Sequence, residues 1–237
     1  MSIARQDGCK NLLLGRMAPD DFERLATAAD LVPLERGEWL CQPGQRIETV
    51  FFPETGIASV TSNDGPTKIE IGLIGRDGFV GSAALLGAEQ DSSAIHVQHP
   101  GDFVRLPAGA FLSAVDDSPN LRRLLHRYVH AYKVQILSTA VANGNLTVEQ
   151  RLARWLLMAH DRIDGSDLAL THDFLATMLG VRRPGVTVAT HVLESHHAIR
   201  ATRGKICIIS REKLKAIAGK SYGLAEAEYQ RMIDLPA

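Results

Sequence analysis

The feature that most constrains this chain is the stretch from Thr171 to Ile209. Phe174, Leu175, Met178 and Leu179 sit at helical spacing, Gly180 follows where a helix must turn, and Val186, Ala189, Val192 and Leu193 repeat the period. Ala198-Ile199-Arg200 and Lys205 to Ile209 then flank Thr202-Arg203-Gly204, two strand-like runs around a tight turn. The spacing predicts a helix-turn-helix followed by a β-wing. The outer face of the second helix carries Arg182, Arg183, Pro184, Thr187, Val188 and His191. Its N-terminal end, where such helices reach base edges, therefore holds two cations with a hydroxyl close behind. An ordinary αα-hairpin with solvated arginines would share the apolar spacing. Turn glycine, clustered cations and wing in this order favour a DNA-reading unit.

Charge is distributed in agreement with that reading. The whole chain has a net charge of -1, but residues 171–220 hold 9 Lys+Arg against 3 Asp+Glu, whereas residues 1–170 hold 16 against 21. A compact cationic face on an acidic remainder suits phosphate contacts on one side and limits non-specific adhesion elsewhere.

With 237 residues, 45% hydrophobic and 22% charged, the chain has room for two modest cores. Met1 to Lys10 lacks an apolar core segment and no run of 18 apolar residues occurs, so the expectation is a cytoplasmic protein without a membrane segment. Cys9, Cys41 and Cys207 are scattered and odd in number, which fits isolated thiols rather than a disulfide framework or a CxxC metal site.

Three textures follow one another along the chain. After a short amphipathic opening segment with Pro19, Phe22 and Leu25, β-leaning runs over 32–34, 39–41, 49–52, 57–62, 68–74, 93–98 and 102–106 alternate with Gly/Pro/Asp breakers. They predict an antiparallel β-roll or jelly roll. From Leu121 to Ala142, apolar residues recur every three or four positions without Gly or Pro, which predicts one long helix. A roll covers only part of such a helix, and two-fold pairing with a second copy would bury the rest. Asn143-Gly144-Asn145 reads as a hinge, Thr147 as the N-cap of the next helix, and residues 211–233 as a terminal helical segment packed on the DNA-binding domain. The fold class is α+β, with domains at 12–118 (β-roll sensor), 119–145 (dimerisation helix and hinge) and 146–237 (winged helix-turn-helix).

Together these features resemble the cyclic AMP receptor protein and fumarate-nitrate regulator (Crp/Fnr) superfamily of bacterial transcription factors. The resemblance spans nearly the whole chain and is carried by Leu34 to Gly44, the Gly75-to-Gly87 loop, Glu149 to Met158 and Thr171 to Gly204. It implies a homodimer on palindromic double-stranded DNA, with RNA polymerase as a further partner and half-sites about 34 Å apart. Its DNA-facing residues would be Arg182, Arg183, Thr187, His191, Arg200, Arg203 and Lys205, with Thr171 as helix cap and backbone contact.

Departures from the family pattern are informative. Cyclic-nucleotide-binding members use a Gly-Glu-Leu step for the ribose and an Arg-Ser/Thr-Ala step for the phosphate. The matching places here read Gly81-Ser82-Ala83 and Ser92-Ser93-Ala94, so both charged groups are missing. A buried phosphate without its arginine leaves its desolvation unanswered, which argues against cyclic AMP. Gly81, Ser82, Ser92 and Ser93 remain the effector pocket of a neutral ligand, or polar filler of a closed one. A cyclic-nucleotide regulator with a non-standard pocket stays as the alternative.

Three cysteines cannot hold the family's four-cysteine cluster. His96 and His99 fall on opposite strand faces, and His126 and His130, at i and i+4, lack a third ligand, so no metal and no cofactor are expected. A cupin-type catalytic roll would need more histidines and a carboxylate, and no nucleophile, acid/base pair or P-loop is present, so an enzyme is not expected. The family's Arg-Glu-Thr-Val-x-Arg is here Arg183-Pro184-Gly185-Val186-Thr187-Val188. Gly185 costs about 1 kcal/mol of helix propensity, and the preferred operator should differ from the family's best-known one.

Overall fold

A computed structural model describes residues 5–62 and 69–235; the breaker at Asn63 to Pro66 and the strand start at Lys68 lie outside them. Asn11 caps the first α-helix. Its side-chain oxygen accepts from Leu13 N–H and Leu14 N–H, capping α1 (Leu12–Arg16), while its amide donates to Pro53 and Gly78 carbonyls. α2 (Pro19–Ala26) begins on proline with two aspartates in its first turn.

The β-leaning runs form two antiparallel sheets. β1 (Asp30–Leu34), β7 (Gly101–Pro107) and β3 (Thr49–Pro53) make one, and β2 (Trp39–Cys41), β6 (Ala94–His99), β4 (Ile57–Thr61) and β5 (Glu70–Ile74) the other. Phe51, Val60, Ile74, Val97 and Phe103 fill the space between them. On the outer face of the first sheet Phe52, Phe79, Phe111 and Tyr128 form an aromatic cluster with centroid spacings of 5.1–6.3 Å. α3 (Ser82–Leu85) is a single turn between β5 and β6, and α4 (Ala108–Asp117), which the sequence pattern did not resolve, follows β7.

α5 (Pro119–Asn145) is the long helix, capped by Ser118. Two expectations are corrected here. The helix runs through Asn143-Gly144-Asn145, and the break comes at Leu146 and Thr147, both extended. One solvent-facing glycine costs about 1 kcal/mol, too little to end a helix already held on the roll by Leu121, Leu125, Tyr128 and Ala142. Secondly, only half of the terminal segment stays with the DNA-binding domain. α9 (Arg211–Ala218) packs on α6 (Val148–His160), but α10 (Leu224–Ile233) crosses back to lie along α5. Ile233 enters the core of the roll beside Leu13, Leu14 and Leu121, and burying it there stabilises that return by about 2 kcal/mol. One stripe of α5 remains bare near its C-terminus, with Leu137 54% and Val141 62% exposed.

The DNA-binding domain continues with β8 (Asp167–Leu168), α7 (His172–Leu179), α8 (Arg183–Ser195), β9 (Ile199–Thr202) and β10 (Lys205–Ile208). A capping box at Thr147 and Gln150 starts α6. No helix among the described residues is long and apolar enough to cross a membrane.

Candidate DNA interface and the seam behind it

Thr171 Oγ1 accepts from Phe174 N–H at 3.2 Å and caps α7, as its position predicts. Gly180 ends that helix with φ +60°, a left-handed conformation that favours glycine, and it lies against Ile69 of the roll. Arg182 is the N-cap of α8 and Pro184 lies in its first turn. Val186, Ala189, Thr190 and Leu193 are buried, which turns Arg182, Arg183, Pro184, Val188 and His191 outward. Val188, 58% exposed, offers a methyl surface of the kind that meets thymine. Arg183 Nε lies 3.2 Å from Asp173 Oδ1, an exposed pair that is worth little and exchanges readily for phosphate or guanine. The Thr187 hydroxyl is engaged by Arg183 O at 3.2 Å and His172 Nδ1 at 3.0 Å. His191 Nδ1 is 3.7 Å from Glu194 Oε2.

The wing is three-stranded, in the order β8-β10-β9. Arg200 and Arg203 are exposed, while Lys205 Nζ sits 2.7 Å from Asp167 Oδ2 on β8, which raises the pKa of Lys205 and lowers that of Asp167. β8 escaped the sequence pattern because two residues cannot show alternation.

Behind this surface the domain is seated on the roll through groups the sequence reading missed. Glu70 of β5 accepts from Trp155 Nε1 of α6 and from Ser59 Oγ, each at 2.5 Å, and Ser59 Oγ is also 3.5 Å from Met178 Sδ of α7. Burial raises the Glu70 carboxyl to about 7, against the two hydrogen bonds that favour its charge. Arg162, buried at the end of α6, makes a two-pronged pair with Asp77 of the β5–α3 loop and donates to Met158 O at 2.7 Å. Arg36 donates to Ala169 O at 2.5 Å and lies 5.8 Å from the centre of the Phe174 ring. Ile57 and Leu73 of the roll share one apolar core with Leu156, Leu175 and Leu193. A buried carboxylate facing an indole from another domain has no period to betray it in sequence.

In the roll, Gly81 heads α3, Ser82 and Ser93 are half-buried, and Ser92 is exposed. Ser93 N–H donates to Asp91 Oδ1 at 2.8 Å. Tyr132 of α5 leans into the roll so closely that a Cβ on Gly72 would meet its hydroxyl, which is buried with no partner among the described residues. His130 is held by Glu228 at 2.8 Å, and no cluster of three metal-ligating side chains occurs among the described residues.

A two-sheet roll, a long helix and a winged helix-turn-helix define a DNA-binding transcription regulator, and comparison with known proteins agrees. The family model described as a cyclic nucleotide-binding domain matches residues 31–118, and that of the Crp-like helix-turn-helix domain matches residues 150–217. The chain belongs to the Crp/Fnr family of transcription regulators, whose members are not enzymes. Similar solved structures include FixK2 from Bradyrhizobium japonicum (TM-score 0.66, 15% identity, covering 81% of this chain and 98% of that one). A CRP-family transcriptional regulator from Thermus thermophilus gives a TM-score of 0.64 at 17% identity, over 80% and 97%. The c-di-GMP-responsive global regulator CLP of Xanthomonas campestris gives 0.63 at 15%, over 81% and 100%. No curated protein matches by sequence.

Proposed function

We propose that this regulator acts in the cytoplasm as a homodimer that reads a palindromic operator through the N-terminal end of α8 and contacts RNA polymerase when bound. The observation that carries this reading is the outward face of α8 and the wing. Arg182, Arg183, Val188, His191, Arg200 and Arg203 are exposed there while the apolar positions of the same elements are buried. Arg182 and Arg183 are the base-reading pair, Arg200, Arg203 and Lys205 face phosphate, and Thr187 shapes the helix from behind. Pairing runs through the bare end of α5 at Leu137 and Val141. The units that carry these roles are the roll at 12–118, the pairing helix at 119–145 with α10 laid along it, and the DNA-binding domain from 146 to the end of α9.

The roll does not take cyclic AMP in this reading. Gly81-Ser82-Ala83 and Ser92-Ser93-Ala94 supply no charge for a phosphate, Asp91 adds an anion beside them, and Tyr132 fills space against Gly72. Gel filtration and mobility shift at physiological salt with a randomised palindromic pool test the proposal. A dimer that enriches one palindrome, and a Leu137→Glu/Val141→Glu variant that runs as a monomer and loses it, are the expected results. A wild-type monomer, or equal retention by the variant, would overturn the dimeric reading. Calorimetry with cyclic AMP showing micromolar binding would overturn the account of the roll.

A further inference from the structure

Where α10 returns along α5, it closes a cavity of about 250 Å³ against the β5–α3 loop and the end of α6. This space is separate from the Gly81 to Ser93 region of the roll. Its walls come from every part of the molecule that would have to move together: Arg76 and Asp77 from the sensor, Gln135 from α5, Asp161 and Arg162 from the DNA-binding domain, and Tyr229 from α10. In volume it falls just below the usual range for drug-sized ligands, with room for about 10 to 12 non-hydrogen atoms.

The hydrogen-bonding inventory of those walls is unbalanced in one direction. Arg76 Nε donates to Arg162 O and Nη1 pairs with Asp164, but Nη2 is buried without a partner among the described residues, as is the Tyr229 hydroxyl. Gln135 spends its amide oxygen on Leu73 N–H, at 2.9 Å. Two buried groups able to donate, on residues that line one space, thus stand without an acceptor among the described residues, and buried donors of this kind are costly unless something accepts from them.

Formal charge, by contrast, is already engaged. Asp77 is taken by Arg162 and Asp161 by Arg211, Arg76 shares Asp164 with Lys10, and Glu226 accepts from Gly223 N–H and lies in the field of Arg154 and Arg162. An incoming anion or cation would have to compete with these existing pairs for its counter-charge, which leaves its desolvation poorly compensated. We infer that this cavity is a binding site for a small uncharged molecule rich in carbonyl or hydroxyl oxygens, which ties α10 and the sensor loop to the DNA-binding domain. That a bound molecule then alters operator affinity rests on the regulator reading above; the site itself does not.

Matched probe pairs separate the chemistry: nicotinamide with nicotinate, uracil with orotate, and myo-inositol with its monophosphate. Saturation-transfer NMR on the full-length protein should show a neutral member binding and its charged twin weaker by about tenfold. Ala225→Phe, which fills the cavity, should abolish that binding, and Tyr229→Phe, which removes one hydroxyl and leaves the packing, should weaken it by about tenfold. Circular dichroism establishes that each variant is folded. Failure of all three neutral probes, equal binding of the charged twins, or unchanged binding to both variants would overturn the site. Mobility shift with and without the bound probe reports separately on regulation. Cavity-dependent probe binding in a protein that retains no DNA would sink the regulator reading and keep the site, while DNA binding with an empty cavity would do the reverse. A probe that fills the cavity without changing operator affinity would remove the coupling.

Discussion

The two sides of the helix-turn-helix handle charge in opposite ways. On the outer side, Arg182, Arg200 and Arg203 stand in water, and Arg183 holds Asp173 loosely. On the inner side, Arg162 and Glu70 are drawn out of water, and Asp77 partly so, into bonds that join the domain to the roll. Exposed cations can exchange water for phosphate at small cost. Buried ones cannot change partners without passing through an uncompensated state. The difference teaches where this molecule keeps its binding function and where it keeps its orientation.

The sharpest way to break that contrast is to remove one inner charge. Asp77→Ala leaves Arg162 buried and unpaired, which should cost about 3 to 5 kcal/mol and lower the melting temperature by about 10 °C. A thermal scan that moved by only about 2 °C would show the inner pair to be no stronger than a surface one.

Glu70 gives a second inner test, in which pH supplies the perturbation. The folded carboxyl holds its proton up to about 7, whereas the unfolded one releases it near 4.5. Between those values the folded state binds the extra proton, so stability falls as pH rises through the window, by about 3 kcal/mol from this group. Below 4.5 the contribution is fully present, and above 7 it is gone. Glu70→Gln keeps an acceptor for Trp155 Nε1 while Ser59 turns to accept from the new amide. Urea denaturation should therefore show a flatter profile and a more stable variant at about pH 8. An unchanged slope would move the titration to another group.

How much of this contrast was legible beforehand follows from periodicity. The outer face was readable because Phe174, Leu175, Met178 and Leu179, then Val186, Ala189 and Leu193, mark an inside by spacing, and whatever lies between them must face out. The strands of the roll were readable by their glycine breaks to within a residue or two. The inner seam was not. Glu70, Asp77, Trp155 and Arg162 are far apart in sequence and meet through tertiary packing alone, which no local pattern encodes. The same blindness misplaced α10: its Ala and Glu composition fits helix on either domain, and only the packing of Ile233 and Tyr229 against the core of the roll decides between them.

On the outer face, removing Arg182 and Arg183 together should weaken specific DNA binding by about ten- to a hundredfold per lost base contact, while stability stays within about 0.5 kcal/mol. Titration of the double alanine variant against the enriched operator and a scrambled one checks this. Equal losses on both DNAs would reassign the pair from base readout to phosphate contact.

Thr171 yields the smallest effect and separates two roles that coincide at one residue. As a cap, its Oγ1 holds Phe174 N–H, so Thr171→Ala should cost about 1 kcal/mol of stability. As a backbone contact, it would donate to a DNA phosphate at the head of α7. Thr171→Asp distinguishes them, because aspartate caps a helix as well as threonine but repels phosphate. If the residue serves both, the aspartate variant keeps its melting temperature and binds operator less tightly at low salt, with the deficit shrinking as salt screens the repulsion. If DNA affinity is unchanged at every salt concentration, Thr171 belongs to the fold alone, and the outer face begins one helix later, at Arg182.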